Sequence, residues 1–215
     1  MGRQKSGIYM LSMQRMLEIK TYKTVWTMGH KIRKALADRD ANYKLAGLIE
    51  MDDTHFGAPK PGKRGRGAAG KAKEVVAMET PGNKPRFAAM RVVPRVNAAE
   101  IQTMVQECLA GEVVLHTDGC QGYRVLDNPP GRHVRVVPAS GPEAVKLLPW
   151  LHTLIANVKG NIRSVHHGVS QKHLPHYLAE FCYRFPRRFW EPPMFNCMLH
   201  ACLYTPTITF LELRA

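Results

Sequence analysis

Two apolar segments of the chain each lead into a carboxylate, and this pattern constrains the fold more than any other feature. The first, residues 45–56, carries Asp52 and Asp53 towards its end. The second, residues 112–117, is followed at once by Asp118. Both have the length and apolar character of buried strands. Since ligands bind at the carboxyl ends of strands in open α/β sheets, the pattern predicts an acidic site at one sheet edge.

If the two strands are neighbours, Asp52 and Asp118 lie close together and repel each other unless a cation sits between them. Mg²⁺ suits such a site because it takes oxygen ligands and keeps waters and substrate phosphates. A pair of these ions supports phosphodiester chemistry. Asp52 and Asp53 point to opposite faces of a strand, so spacing alone does not choose between them. The alternative is that the aspartates only begin turns, as the dipeptide Asp118-Gly119 often does.

The order of the predicted elements indicates the fold class. We predict strands at 45–56, 74–79, 86–94, 112–117 and 133–138, and helices at 97–110, 142–164 and 171–185. The helix at 97–110 is the clearest, because Asn97 can cap it with Glu100 three positions on. The helix at 142–164 can be interrupted at Gly160. This order is that of an RNase H-like α/β domain, a mixed sheet flanked by helices.

Positive charge is concentrated at the front of the chain. The 215 residues carry 31 Lys and Arg against 17 Asp and Glu, which gives a net charge of +14. Residues 1–73 hold 16 basic and 6 acidic side chains, so +10 lies there and +4 in the remainder. A basic front end on a folded body predicts a polyanionic partner, most often nucleic acid.

Two short helices within residues 8–39 supply part of this charge. The second, from about Tyr22 to Leu36, is apolar on one side and basic on the other, with Thr21 or Thr24 placed to cap it. The pair resembles a helix-turn-helix, whose second helix enters the major groove. The alternative is an amphipathic helix with a solvated basic face. The predicted DNA contacts here are Lys23, Lys31, Arg33 and Lys34.

A Gly- and Pro-rich loop at residues 57–73 carries six positive charges and no negative one. Such a segment binds phosphates through the release of counterions. Its predicted DNA contacts are Lys63, Arg64, Arg66 and Lys71. The loop also resembles a nucleotide-binding loop superficially, but Ala72 stands where a Ser or Thr must reach the magnesium, so we discard that function.

Several classes of protein are excluded. The longest apolar stretches fall short of the roughly 18–20 residues that span a membrane, and we find no signal peptide. We therefore expect a cytoplasmic, nucleoid-associated protein without a membrane partner. The five cysteines form no Cys-x-x-Cys pair, which favours reduced thiols over a zinc ribbon.

Five stretches of the sequence resemble the ISXO-type transposases of bacterial insertion sequences. They are GLIEMDDTHFG at 47–57, HTDGCQGYR at 116–124, LPWLHTLIANVK at 148–159, HGVSQKHL at 167–174 and EFCYRFPRRFW at 180–190. The similarity runs through nearly the whole chain from about Gly7. It implies a DDE-class catalytic domain of RNase H-like fold, which uses Mg²⁺ (or Mn²⁺) to cut transposon ends and join them to target DNA.

By position, the resemblance matches Asp52 to the first catalytic aspartate and Asp118 to the second. For the third residue, relatives carry Glu, or Asn with a nearby Lys, and this chain offers Asn157 and Lys159. On an unbroken helix these two point about 160° apart, so both serve one site only if the helix breaks. Glu180 is the rival third carboxylate, although it lies off the apolar face of its helix and can simply be solvated.

The remaining expectations concern DNA and domain organisation. Arg187 and Arg188 are candidate phosphate contacts, which position DNA without reading its sequence. Tyr123 and Arg124 can hold DNA, although a structural tyrosine is equally expected. We predict an incomplete helix-turn-helix-like segment at 1–40, a catalytic domain at 41–190, and a tail at 191–215 that packs on the catalytic domain. Relatives usually begin with a zinc ribbon that this sequence lacks.

The sequence thus predicts a transposase that acts on double-stranded DNA as a homo-oligomer. Two alternatives remain open. One is an inactive DNA-binding remnant of a transposase, and the other is a different RNase H-like nuclease.

Overall fold

The computed structural model describes residues 7–57, 71–127, 133–136, 148–188 and 191–214, and the chain divides into two compact units. The sheet unit is Lys44–Lys159. The helical unit combines Met1–Tyr43 with Gly160–Ala215. This division differs from the predicted boundaries at residues 40 and 190, because the segment that follows Lys159 groups with the N-terminal helices.

The described residues contain five strands, seven α-helices and two short 3-10 turns. The strands are β1 (Leu45–Phe56), β2 (Ala72–Glu79), β3 (Ala88–Val93), β4 (Leu109–Asp118) and β5 (His133–Val136). The helices are α1 (Met10–Met16), α2 (Tyr22–Ala41), α3 (Ala98–Cys108), α4 (Pro149–Ser164), α5 (Leu174–Arg187), α6 (Glu191–Tyr204) and α7 (Phe210–Arg214). The 3-10 turns are Pro81–Asn83 and Gln121–Leu126.

The five strands form one mixed sheet in the order β3-β2-β1-β4-β5. The first three strands along the chain pair antiparallel, β1 with β2 and β2 with β3. The other two extend the sheet in parallel, β4 beside β1 and β5 beside β4. This order, with helices flanking the sheet, is the RNase H-like fold, and it confirms the predicted fold class.

Local sequence signals place most elements correctly. The Asn97 side chain accepts a hydrogen bond from the Glu100 amide at 2.9 Å and begins α3 as predicted. Helix α4 continues through Gly160 without a break, and the predicted start of this helix at 142–147 lies outside the described residues. Thr21 precedes α2, but its hydroxyl forms a hydrogen bond with the Thr24 hydroxyl at 2.6 Å. It does not cap the helix through a hydrogen bond to a backbone amide.

Each of the two units has apolar residues buried within it. In the sheet unit, the central strands bury their side chains completely at Ile49, Met51, Val75, Val76, Ala77 and Met78. In the helical unit, one cluster joins α2, α5 and α6 through Leu36, Tyr183, Met194, Met198 and Ala201. The segment predicted to be a tail on the catalytic domain is therefore part of the helical core. Within the described residues, no helix has the length and apolarity needed to cross a membrane.

Candidate active site

The pairing of β1 with β4 brings two aspartates side by side. These strands run parallel, and the last registered pair between them is Met51 with Thr117. The next residues along the two strands are Asp52 and Asp118. Neighbouring strands lie about 4.8 Å apart, and residues opposite each other share a face of the sheet. Asp52 is also inside β1, which continues to Phe56, so it does not begin a turn.

The register distinguishes Asp52 from Asp53, which the sequence alone does not. Successive side chains point to opposite faces of a strand, so Asp52 shares the face of Asp118 and Asp53 takes the other. Each aspartate of the pair is anchored locally by a backbone amide. One oxygen of Asp52 accepts from the Asp53 amide at 2.7 Å, and one oxygen of Asp118 accepts from the Cys120 amide at 3.1 Å.

A buried glutamate docks helix α4 on the same sheet face. Glu50 lies two residues before Asp52 and opposite His116. Its carboxyl accepts a hydrogen bond from the Leu151 amide in the first turn of α4 at 3.0 Å. Burial raises the pKa of Glu50, and this hydrogen bond partly offsets the effect. A carboxylate is favourable at a helix N-terminus, so Glu50 holds α4 over the face that carries the aspartates.

Helix α4 carries Lys159 towards the face of β1 that bears Asp52. Lys159 is half-buried, and its ammonium lies 5.7 Å from the centre of the Phe56 ring. Burial lowers the pKa of Lys159, whereas the charges of Glu74 and Asp52 raise it. Since Phe56 lies four residues after Asp52 and shares its face of β1, the ammonium lies on the same side of the sheet.

The predicted role of Asn157 stays a prediction, and the structure places this residue on the side of α4 away from Lys159. Because α4 is unbroken, Asn157 lies about 160° from Lys159 around the helix axis. It shares its side of the helix with Trp150, two turns earlier. The Trp150 indole N–H donates to the Asn83 carbonyl at 2.9 Å, next to the β2–β3 connection. Asn157 is exposed on that side.

Glu74 is a site residue that the sequence analysis missed. Its side chain is completely buried, and neither carboxyl oxygen has a hydrogen bond of normal geometry in the described residues. It pairs with Thr54, which shares the face of Asp52. Burial raises the pKa of Glu74 to about 8, against the opposing effects of Lys159 and the Phe56 amide. One signal in the sequence could have identified Glu74. Side chains alternate along a strand, so Glu74 points to the same side of β2 as Val76, which is an apolar residue.

The donor set at this site is a pair of carboxylates. Among the residues that the structure describes, no group of three or more His, Cys, Asp or Glu side chains is arranged to hold a metal ion. Asp52 and Asp118 nevertheless suit Mg²⁺, which is commonly held by one or two carboxylates while waters and substrate phosphates fill its other positions.

Two arginines of the helical unit that were predicted to contact DNA form internal ion pairs instead. Arg33 is completely buried, and its guanidinium donates to the Glu180 carboxylate at 2.7 Å. Arg187 is buried and donates to both oxygens of Asp40 at 3.0 and 2.8 Å. We correct both predictions, because a buried guanidinium with an acidic partner does not reach DNA phosphates.

Glu180 is likewise structural. It is 3% exposed, which corrects the expectation that it is solvated, and it accepts from Arg184 as well as Arg33. Burial raises the pKa of this carboxyl, but the two arginines outweigh burial and lower it. With its charge engaged by these two arginines, Glu180 is not the third carboxylate of the acidic site.

The remaining basic candidates differ in exposure. Lys23 and Lys31 are exposed, whereas Lys34 is half-buried and forms an ion pair with Asp38 on the same helix. Arg188 is half-buried and donates to the Phe185 carbonyl. In the basic loop, Lys71 is half-buried, and Lys63, Arg64 and Arg66 lie outside the described residues.

The sheet order and its flanking helices define an RNase H-like domain. The chain belongs to the ISXO2-like transposase domain family, whose sequence model matches residues 44–186. It is therefore a DDE transposase domain by family, and the resemblance found in its sequence motifs is confirmed.

Solved structures of Mos1 transposase are similar at 14% sequence identity. The paired-end complex with the left transposon end has a TM-score of 0.34, with 83% of this chain and 64% of that chain covered. The pre-cleavage transpososome has a TM-score of 0.38, with coverage of 82% and 64%. The paired-end complex with Mn has a TM-score of 0.40, with coverage of 82% and 63%. This chain thus spans less than two thirds of the length of those chains.

The fold is assigned from the strand pairing of this chain. No significant match was found among curated proteins.

Proposed function

We propose that this chain catalyses metal-dependent cleavage of DNA at the ends of an insertion sequence and transfer of the cut strand to target DNA. The observation that carries the proposal is the parallel register of β1 and β4, in which Met51 pairs with Thr117 and Asp52 and Asp118 are the next residues along the two strands. Membership of the ISXO2-like transposase domain family supports DNA transposition as the reaction.

In this proposal Asp52 and Asp118 hold Mg²⁺ or Mn²⁺. When bound, such ions activate the attacking oxygen and stabilise the leaving oxygen in phosphodiester chemistry. The nucleophiles would be water for cleavage and then a 3′-hydroxyl for strand transfer. Lys159, on the sheet face that carries Asp52, would bind a phosphate oxygen of the DNA as a point charge.

Double-stranded DNA would be held by exposed cations and by the basic loop. Phosphate contacts position the duplex without reading its sequence. From the residues predicted above we retain Lys23, Lys31, Lys63, Arg64, Arg66 and Lys71. Assembly of more than one copy on DNA stays a prediction.

The test compares Asp52→Asn, Asp118→Asn and Asp53→Asn in a strand-cleavage assay with Mg²⁺ and with Mn²⁺. We expect the first two to lose more than the roughly 10–100-fold that loss of an outer-shell partner causes. Asp53→Asn is the matched control, because it changes the same charge on the opposite face of the strand. Cleavage that survives Asp52→Asn and Asp118→Asn would disprove the proposal.

A second candidate is a DNA-binding remnant without catalysis. The observation that favours it is an incomplete set of metal ligands. Among the described residues, no third His, Cys, Asp or Glu side chain is grouped with Asp52 and Asp118 to hold a metal ion. This function predicts salt-sensitive binding to duplex DNA and no nicking with either metal. The wild-type lane of the same cleavage assay separates the two candidates.

A further inference from the structure

Three side chains near the end of β4 form a chain of hydrogen bonds. The Asp127 carboxylate accepts a hydrogen bond from His133 Nδ1 at 2.6 Å. The other ring nitrogen of His133, Nε2, lies 2.8 Å from the Thr117 hydroxyl. This hydroxyl donates to the backbone carbonyl of Asp118 at 3.0 Å. The chain therefore links an exposed carboxylate to the backbone of a proposed metal ligand.

The strand register puts Thr117 and His133 behind the acidic pair. Side chains alternate along β4, so Thr117 and Leu115 point away from the sheet face of Asp118. His133 begins β5 and pairs with Leu115, so it shares their face. Thr117 is 0% exposed and the side chain of His133 is 1% exposed. Water therefore does not compete for the hydrogen bond between them.

The chemistry of the three groups fits this order. An ionised carboxylate only accepts hydrogen bonds, so Nδ1 donates to Asp127 and Nε2 is left for Thr117. A hydroxyl has one proton and two lone pairs, so Thr117 can bridge the imidazole and a carbonyl. Without that hydroxyl, a buried ring nitrogen would lose its partner, which is unfavourable.

The hydrogen bonds also close the segment that follows Asp118 into a ring. From Asp118 the backbone runs through the 3-10 turn Gln121–Leu126 to Asp127. The side chain of Asp127 then returns through His133 to Thr117, the neighbour of Asp118. Both ends of the segment are therefore tied to the end of β4.

The turn inside this ring is fixed as well. The Tyr123 side chain is 0% exposed, so this tyrosine is structural and does not hold DNA. Its amide donates to the Cys120 carbonyl at 3.2 Å, and the Cys120 amide donates to the Asp118 carboxylate at 3.1 Å. Asp118 is thus held through its side chain by the turn and through its carbonyl by Thr117.

We propose that His133, held by Asp127, is a positioning residue that fixes the backbone of Asp118 through Thr117 and so orients the Asp118 carboxylate towards a bound metal ion. The inference rests on the proposed function, since it assumes that Asp118 is a metal ligand. Partners that fix the orientation of a ligand typically contribute about 10–100-fold to metal affinity.

The experiment measures the Mn²⁺ affinity of the full chain by electron paramagnetic resonance, without DNA. Thr117→Val keeps the branched shape and removes the hydroxyl, so we expect it to weaken Mn²⁺ binding about 10–100-fold. Thr117→Ser keeps the hydroxyl and loses a methyl group, and it should bind Mn²⁺ as the wild type does. A role in packing alone predicts the reverse order, and that result would overturn the proposal.

Thr80→Val is the matched control. Thr80 is a buried threonine of the same sheet unit, and its hydroxyl has no hydrogen-bond partner among the described residues. This variant should leave Mn²⁺ affinity unchanged. Asp127→Asn changes the exposed end of the chain and leaves the buried side chains intact, so it tests the same role with little risk to folding. It should also weaken Mn²⁺ binding, and an unchanged affinity would count against the proposal.

A double variant tests whether His133 acts through Thr117. His133→Phe should weaken Mn²⁺ binding as Thr117→Val does, and the two changes together should weaken it no more than either alone, because they break the same chain. Losses that add would show that the two residues act independently and would overturn the proposal.

The result for Asp118→Asn separates this proposal from the proposed function. If Asp118→Asn weakens Mn²⁺ binding and Thr117→Val does not, the positioning role is overturned and the proposed function stands. If Asp118→Asn leaves Mn²⁺ affinity unchanged, the proposed metal site fails and the role of His133 fails with it.

Discussion

Lys159 lies near two acids of very different character. Asp52 belongs to the proposed metal site, whereas Glu74 is buried beneath α4 with a pKa raised to about 8. Both acids favour the charged form of Lys159 and oppose the effect of burial, which lowers its pKa. An ammonium supported in this way can remain charged in a half-buried position, where attraction to a phosphate is stronger than in open solvent.

A comparison of Lys159→Met with Asn157→Ala tests this assignment. Lys159→Met should lower the rate of DNA cleavage about 10²-fold, as loss of one preorganised donor commonly does. Asn157→Ala should change the rate by no more than about twofold, since surface substitutions have small effects. Single-turnover cleavage measures both. A larger loss in the Asn157 variant would show that the side of α4 facing the β2–β3 connection takes part in the reaction.

Helices α2 and α5 are joined by a buried ion pair. The Arg33 guanidinium donates to Glu180 and also packs 3.9 Å from the centre of the Tyr177 ring. Its two terminal nitrogens have no hydrogen-bond partner among the described residues. The pair therefore fixes how the two helices pack, but it does not recover the full cost of burying the charge.

Breaking this pair should be costly, whereas replacing it should not. Arg33→Met leaves Glu180 buried with less compensation and should lower the free energy of unfolding by about 3–5 kcal/mol. Arg33→Met with Glu180→Gln should recover much of that loss, because the glutamine oxygen is neutral and still accepts a hydrogen bond from Arg184. Lys31→Met, at an exposed cation of the same helix, is the control. Urea denaturation measures all of these variants, and a double variant no more stable than Arg33→Met would contradict the account.

The helices and strands also show which features of the structure could be predicted from the sequence. The start of α3 was predictable because Asn97 and Glu100 are three positions apart and the cap is local. The acidic strands were predictable from apolar runs. The pairing of Arg33 with Glu180, 147 positions apart, leaves no local signal. The choice of Asp52 over Asp53 also required the register, because a shift of one residue turns every side chain to the other face.

At the scale of the whole molecule, the two units respond to acid in opposite ways. In the helical unit His30 is completely buried, and burial together with Arg33, His173 and His176 lowers its pKa to about 3. A lowered histidine pKa means that stability is lost as the pH falls below about 6.5. In the sheet unit the raised pKa of Glu74 has the reverse effect, because stability increases as the pH falls from about 8 towards 4.5.

We therefore predict that the helical unit melts before the sheet unit at pH 4.5. In a background with Trp150→Phe and Trp190→Phe, Trp26, whose ring lies 4.1 Å from His30, reports on the helical unit by fluorescence, and circular dichroism follows the whole chain. His30→Phe should reduce the loss of helical-unit stability between pH 7 and pH 4.5. His200→Phe is the control, because this histidine is exposed in the same unit. Equal pH dependence in wild type and His30→Phe would contradict this explanation.

The central claim is that Asp52 and Asp118 share one divalent ion, and anomalous diffraction from crystals grown with Mn²⁺ tests it most directly. The account predicts an anomalous peak within coordination distance of an oxygen of each aspartate, on the sheet face covered by α4. A structure in which the two carboxylates bind no common ion, or in which Asp53 takes the place of Asp52, would contradict it.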